Sequence, residues 1–318
     1  MIGYLPLAAS LFTILFSRSV HADAKRALDT NFPDPCVIKT DAGYYAFGTA
    51  GNGVNIQVAR SDDFSSWDLL SDTDALPGPF PDWVASEPNT WAPDVIKRGD
   101  GKYVMYFSAS SSEDNSKHCV GAATSSSITG PYTPEDDPLA CRLDKGGAID
   151  ADGFDDGGDL YVVYKVDGNS LNGDGTMHPT PIMLQAVNED GVTPNGDPVQ
   201  LLDRTDADGP VVEAPSLKKS GGTYFLTFSS NMYDTPQYDV SYATASSVKG
   251  PYTKADEPLL VSGDPSDVGS LTAPGGSDFS VDESKIVFHA FKNGHDINDG
   301  RAMYAADINL SGDTISIV

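Results

Sequence analysis

The chain has 318 residues and a formal net charge of −26. A surface that acidic repels nucleic acid and anionic membrane, so neither is expected as a partner. The length permits one large domain or two, and either would bury a substantial core.

The N-terminus opens with an apolar run, Tyr4-Leu-Pro-Leu-Ala-Ala-Ser-Leu-Phe-Thr-Ile-Leu-Phe16, followed by small residues. It is too short for a comfortable membrane span and reads as a secretory signal peptide over residues 1–22, with a membrane anchor as the rival reading. Val20-His-Ala22 and Ala22-Asp-Ala24 are the candidate cleavage points. The expected location is therefore extracellular.

Five short aromatic strands follow: Gly43-Tyr-Tyr-Ala-Phe-Gly, Gly101-Lys-Tyr-Val-Met-Tyr-Phe, Gly158-Asp-Leu-Tyr-Val-Val-Tyr, Gly221-Gly-Thr-Tyr-Phe-Leu-Thr-Phe and Ser284-Lys-Ile-Val-Phe-His-Ala-Phe. Their starts lie 58, 57, 63 and 63 residues apart. The first four are each preceded by a hairpin turn in which glycine supplies the positive φ: Thr40-Asp-Ala-Gly43, Arg98-Gly-Asp-Gly101, Asp155-Asp-Gly-Gly158 and Lys219-Ser-Gly-Gly222. Outer strands repeat as well, since Ala122 to Thr133 matches Tyr242 to Thr253, both ending in Gly-Pro-Tyr-Thr. No long amphipathic helix pattern interrupts them. The pattern predicts an all-β chain, a five-bladed β-propeller in one domain over residues 23–318.

Within this frame Cys119 and Cys141 stand at opposite ends of one hairpin region and are the candidate disulfide, leaving Cys36 as a small buried hydrophobe. Long loops at residues 72–90 and 167–181 break the repeat. Phe80 and Trp83 in the first loop read either as a rim on which sugar faces stack or as a plug between blades. His118, His178 and His295 lie in polar segments and are expected to face solvent. The acidic run from Asp152 to Asp159 imitates a calcium loop without its spacing and reads as a hairpin turn.

About eight residues before each of the first four aromatic strands sits an acid: Asp34, Asp94, Asp150 and Glu213. Equivalent positions on radial blades converge on the axis, so these acids should meet. The fifth unit has Leu271-Thr-Ala-Pro-Gly-Gly-Ser277 there and no acid. Glu213 is flanked by Val, Val, Ala and Pro, and poor solvation would keep its carboxyl protonated as a general acid. Asp34 has polar neighbours and is expected to stay ionised as a base. Two carboxyls pushed apart in pKa are the working parts of a glycosidase.

Asp34-Pro, Trp91-Ala-Pro-Asp94, Ile149-Asp150 followed by Phe154-Asp-Asp-Gly, and Glu213-Ala-Pro-Ser resemble the signatures of glycoside hydrolase family 43, in this order and at blade spacing, over about residues 30–310. The resemblance implies a five-bladed propeller acting on plant polysaccharide: an arabinofuranosidase or arabinanase, with β-xylosidase as the alternative. It implies Asp34 as general base, Asp150 as modulator of the acid's pKa and Glu213 as general acid, with inversion and about 6.5–9.5 Å between base and acid. It further assigns Phe32, Trp91, Asp94 and Arg301 to substrate binding. His289 would line the site or contact a bound calcium ion; a core histidine is the alternative. No cofactor is required on this reading, a structural Ca²⁺ is allowed, and the partner is carbohydrate met by a monomer. A non-catalytic sugar-binding propeller would repeat its ligand residues in every blade. The axial residues here differ, which favours one asymmetric site.

Overall fold

The glycine turns predicted from sequence each fold an inner strand back onto its aromatic partner. In the computed structural model, which describes residues 23–280 and 284–318, Cys36–Thr40 pairs with Gly43–Gly48, Trp91–Lys97 with Tyr103–Ser110, Ala148–Asp156 with Asp159–Val166 and Val212–Ser220 with Thr223–Ser230. Two outer strands complete each of these antiparallel sheets, giving four blades of four strands. The predicted signal peptide lies outside the described residues.

The fifth blade takes Gly275–Phe279, Lys285–Phe291 and Arg301–Ser311 from the end of the chain and Lys25–Leu28 from its beginning. Lys25 pairs with Ala305 and Arg26 with Tyr304, so the ring is closed by the pairing of the terminal strand with the start of the chain. Just ahead of that strand, Ala24 is buried, bridges to Ser266 and accepts the Asp267 amide on its carbonyl at 2.9 Å.

Each aromatic strand is apolar on both faces because both are covered. Tyr45 and Phe47 pack with Met105 and Phe107 between blades one and two, while Tyr44 and Ala46 pack with Val287 and Met303 between blades one and five. Three further clusters fill the other seams. A phenylalanine sealed in such a seam contributes about 1.5–3 kcal/mol. Phe80 and Trp83 belong here: both rings meet Phe107, so of the two readings of these residues it is the plug that is observed. Cys119 and Cys141 are bonded as predicted, and Cys36 is free and buried.

The inner strands share one irregularity. Blades two to five slip register between Trp91 and Asp94, Ile149 and Asp152, Glu213 and Ser216, and Gly275 and Asp278. A residue at positive φ sits in each slip, namely Ala92 (42°), Asp150 (57°), Ala214 (48°) and Gly276 (56°), and Asp34 (52°) holds the same place in blade one. Such bulges re-aim side chains at functional positions. Here they turn the strand start toward the axis.

Candidate active site

The four bulges and the matching position of Asp34 sort the axial residues into rings. The positive-φ ring is Asp34, Ala92, Asp150, Ala214 and Gly276. The ring two residues on is Cys36, Asp94, Asp152, Ser216 and Asp278. Both line a narrow axial cavity. Above the first ring opens a larger cavity of about 380 Å³ whose walls include Asp34, Asp150, Glu213, Lys165, Trp91 and Arg301. Three of the four acids expected to meet therefore do meet, Asp34 just ahead of its strand in blade one and Asp150 and Glu213 on strands of blades three and four.

The backbone beneath them is fixed from the neighbouring blade. The bulge amide of Ala92 is bonded to Thr49 Oγ1 at 2.9 Å, that of Asp150 to Ser108 Oγ at 3.1 Å, that of Ala214 to Asp150 Oδ2 at 2.9 Å and that of Gly276 to Ser229 Oγ at 2.9 Å. In blade one the Asp34 amide donates to His289 Nδ1 at 3.1 Å. Sequence predicts small residues in the fifth blade, and the structure supplies their reason. A Cβ on Gly276 would lie 2.7 Å from the His289 ring, at a φ that already favours glycine.

Asp34 is held as an anion. Arg301 Nη1 reaches Oδ1 at 3.1 Å and Thr49 Oγ1 donates to Oδ2 at 2.6 Å. Burial works to raise its pKa, but the charge of Arg301, the proximity of His289 and the hydrogen bonds together hold it below 3.8. Asp150 is the opposite case. Burial, then the charge of Glu213, push its carboxyl up to about 8.

The setting of Glu213 departs from the sequence expectation. The pleat sends Val212 into the core and turns Glu213 to the cavity, where Lys165 Nζ lies 2.8 Å from Oε2 and Tyr238 Oη donates to Oε1 at 2.9 Å. Lys165 is itself wholly buried and also pairs with Asp167 at 3.0 Å. An apolar pocket around this carboxyl is thus absent, and the carboxyl pushed up by burial is Asp150. Sequence reading misses Lys165 because nothing local marks it. It comes from the adjacent blade, 48 residues upstream.

Other candidates divide. Trp91 stands half-exposed at the cavity wall, its ring stacked on His118 at 3.6 Å. His118, expected in solvent, is buried, its Nε2 3.2 Å from both Ser110 Oγ and the Asn89 carbonyl, because it supports Trp91 from beneath. Arg301 lines the cavity with its guanidinium 5.0 Å over the Tyr233 ring. Phe32 is corrected: it is fully buried against Gly48 in the seam between blades one and five and presents no face to substrate. Asp94 is corrected too. It belongs to the deeper ring, with Asp152 and Asp278, and Oδ2 accepts the Gly153 amide at 2.8 Å. Counting back from the hairpin glycines misplaces it by two positions, since Ala92 occupies the place of Asp34 and Asp150. The same counting hides Asp278, the fifth blade's acid.

His289 does not fit as a direct metal ligand. Its ring is fully buried and stacked on Tyr238, Nδ1 receives the Asp34 amide, and Nε2 lies 3.2 Å from the Arg301 guanidinium. Burial and that positive charge push its pKa down to about 3. It acts as the acceptor that seats the Asp34 backbone.

A family model for glycosyl hydrolases family 43 matches residues 27–315. The chain is 27% identical over 306 residues to extracellular endo-alpha-(1->5)-L-arabinanase 1 of Bacillus subtilis (strain 168), spanning 92% of this chain and 89% of that protein. Its fold matches the crystal structure of a thermostable family-43 glycoside hydrolase with a TM-score of 0.75 and 25% identity, over 90% of this chain and 92% of that one. It also matches the structure of an endo-1,4-beta-xylanase from Bacteroides thetaiotaomicron VPI-5482 with a TM-score of 0.73 and 27% identity, over 93% and 97% of the two chains.

Proposed function

The chain belongs to glycosyl hydrolase family 43 and is a glycoside hydrolase, and from that premise we propose that it is a secreted enzyme that cleaves α-1,5-linked arabinan with inversion. The observation that carries the chemistry is the opposed setting of carboxyls around one cavity: Asp34 held below the usual carboxylate range, Asp150 raised to about 8. The arabinan assignment is supported by likeness to the Bacillus arabinanase over nearly the whole length of both chains.

In this reading Asp34, ionised by Arg301 and Thr49, takes a proton from the attacking water. Burial and the charge of Glu213 keep the Asp150 carboxyl protonated at neutral pH, so this side of the cavity holds a proton. Glu213 delivers that proton to the leaving oxygen. As it does so, the carboxylate that forms is met by the Lys165 ammonium and the Tyr238 hydroxyl, groups already in position before the reaction begins. Trp91 offers a flat face for a sugar ring, and Arg301 stands beside both base and cavity.

The test is hydrolysis of arabinan, arabinoxylan and xylan, with product anomers followed by NMR. The wild type is expected to release products of inverted configuration from arabinan. Glu213→Gln should lower kcat on arabinan about 10²–10⁴-fold and should lose much less on an aryl arabinofuranoside whose leaving group needs no proton. Equal rates for the variant and wild type on arabinan would remove Glu213 from the acid role. Cleavage of xylan in preference to arabinan would transfer the substrate to the xylan class, which likeness to the Bacteroides structure keeps as the second reading.

A further inference from the structure

The deeper axial ring holds three acids that the hydrolytic reading does not use. Asp94, Asp152 and Asp278 come from blades two, three and five, all three are buried, and ligand oxygens of all three lie within 4.8 Å of one another. The charge of Lys218 bears on Asp278, and its Nζ is bonded to the Ser280 carbonyl at 2.8 Å. The backbone anchors of the three acids are fixed: Asp94 Oδ2 accepts from the Gly153 amide at 2.8 Å, Asp152 Oδ2 from Leu217 at 3.0 Å and Asp278 Oδ2 from Val37 at 2.7 Å. Each anchor belongs to another blade. Asp278 Oδ1 also accepts from Ser216 Oγ at 2.9 Å.

A separate observation bears on the same cavity. Ser277 lines the same axial cavity, is only 5% exposed, and its hydroxyl meets no hydrogen-bond partner among the described residues. Buried hydroxyls are ordinarily satisfied. We propose that Asp94, Asp152 and Asp278 bind one hard divalent cation of the calcium type on the propeller axis, beneath the catalytic cavity and apart from His289. The donors are all oxygen, which selects calcium or magnesium over zinc. A route to the ring exists from the opposite face, where a cavity of about 330 Å³ is also walled by the three acids. A cation here would tie three blades at their inner edges, as a hub does spokes.

The test uses the full chain and no substrate, so it is independent of the hydrolase reading. The protein is stripped with a chelator, its metal content measured, and calcium titrated back by calorimetry and by thermal unfolding. Expected are about one equivalent per chain and a Tm several degrees higher with calcium, since a ligand that binds only the folded state stabilises it. Asp152→Asn should weaken binding at least about tenfold through loss of a charged ligand, whereas Asp34→Asn should bind as the wild type does. Should Asp152→Asn fail to fold, the wild type is titrated with Tb³⁺, whose tyrosine-sensitised emission calcium must displace. No binding by the wild type, or no displaceable emission, overturns the proposal. So does binding lost in Asp34→Asn and kept in Asp152→Asn, which would put the cation in the catalytic cavity.

Discussion

Arg301 decides the ionisation of Asp34. Burial alone would raise this carboxyl, and the guanidinium 3.1 Å away opposes that rise more strongly than any other neighbour. The sign follows directly. A carboxyl with a depressed folded pKa stabilises the protein above its unfolded value of 3.8, and that contribution is lost as pH falls through the folded value. Arg301→Met should therefore move the acid limb of the kcat/KM profile upward by about one pH unit or more and narrow the acid-stable range. Arg301→Lys, which keeps a charge, should restore much of the limb. A profile unmoved in Arg301→Met would show that Thr49 and His289 suffice. None of this is legible locally: Arg301 lies 267 residues from Asp34 and reaches it only because the ring closes.

At the level of the element, the bulge explains where sequence reading succeeds and where it errs. Hairpin glycines, aromatic strands and paired Gly-Pro-Tyr-Thr turns are local signals, and each is legible because its cause is local: positive φ at the turn and burial on both faces of the strand. The axial rings are different. Asp34 lies nine positions before Gly43 and Asp94 only seven before Gly101, and that difference of two puts them in separate rings, with Ala92 at the place nine before Gly101. The bulge amides of Ala92 and Asp150 are bonded from the preceding blade, which is why Thr49 and Ser108, ordinary strand residues by pattern, matter to the site. Ser108→Ala strips the acceptor from the part-buried Asp150 amide. It should cost about 1–3 kcal/mol in urea unfolding and lower kcat as Asp150 loosens. An unchanged midpoint would mean that another acceptor takes the amide.

For the whole molecule, five sheets around an axis give the asymmetric site its freedom. Every blade supplies the same backbone and a different side chain, so acids of opposed ionisation can stand on one cavity without altering the fold. The ring is closed by a strand from the start of the chain, and Ala24 is seated against Ser266 ahead of it. That seat discriminates between the two cleavage points predicted from sequence. A peptidase cutting after Ala24 would discard a buried residue and the carbonyl that holds Asp267. A cut after Ala22 leaves both in place. N-terminal sequencing of the exported protein should accordingly begin at Asp23. A mature chain starting at Lys25 would mean that the clasp can lose its first link and still hold.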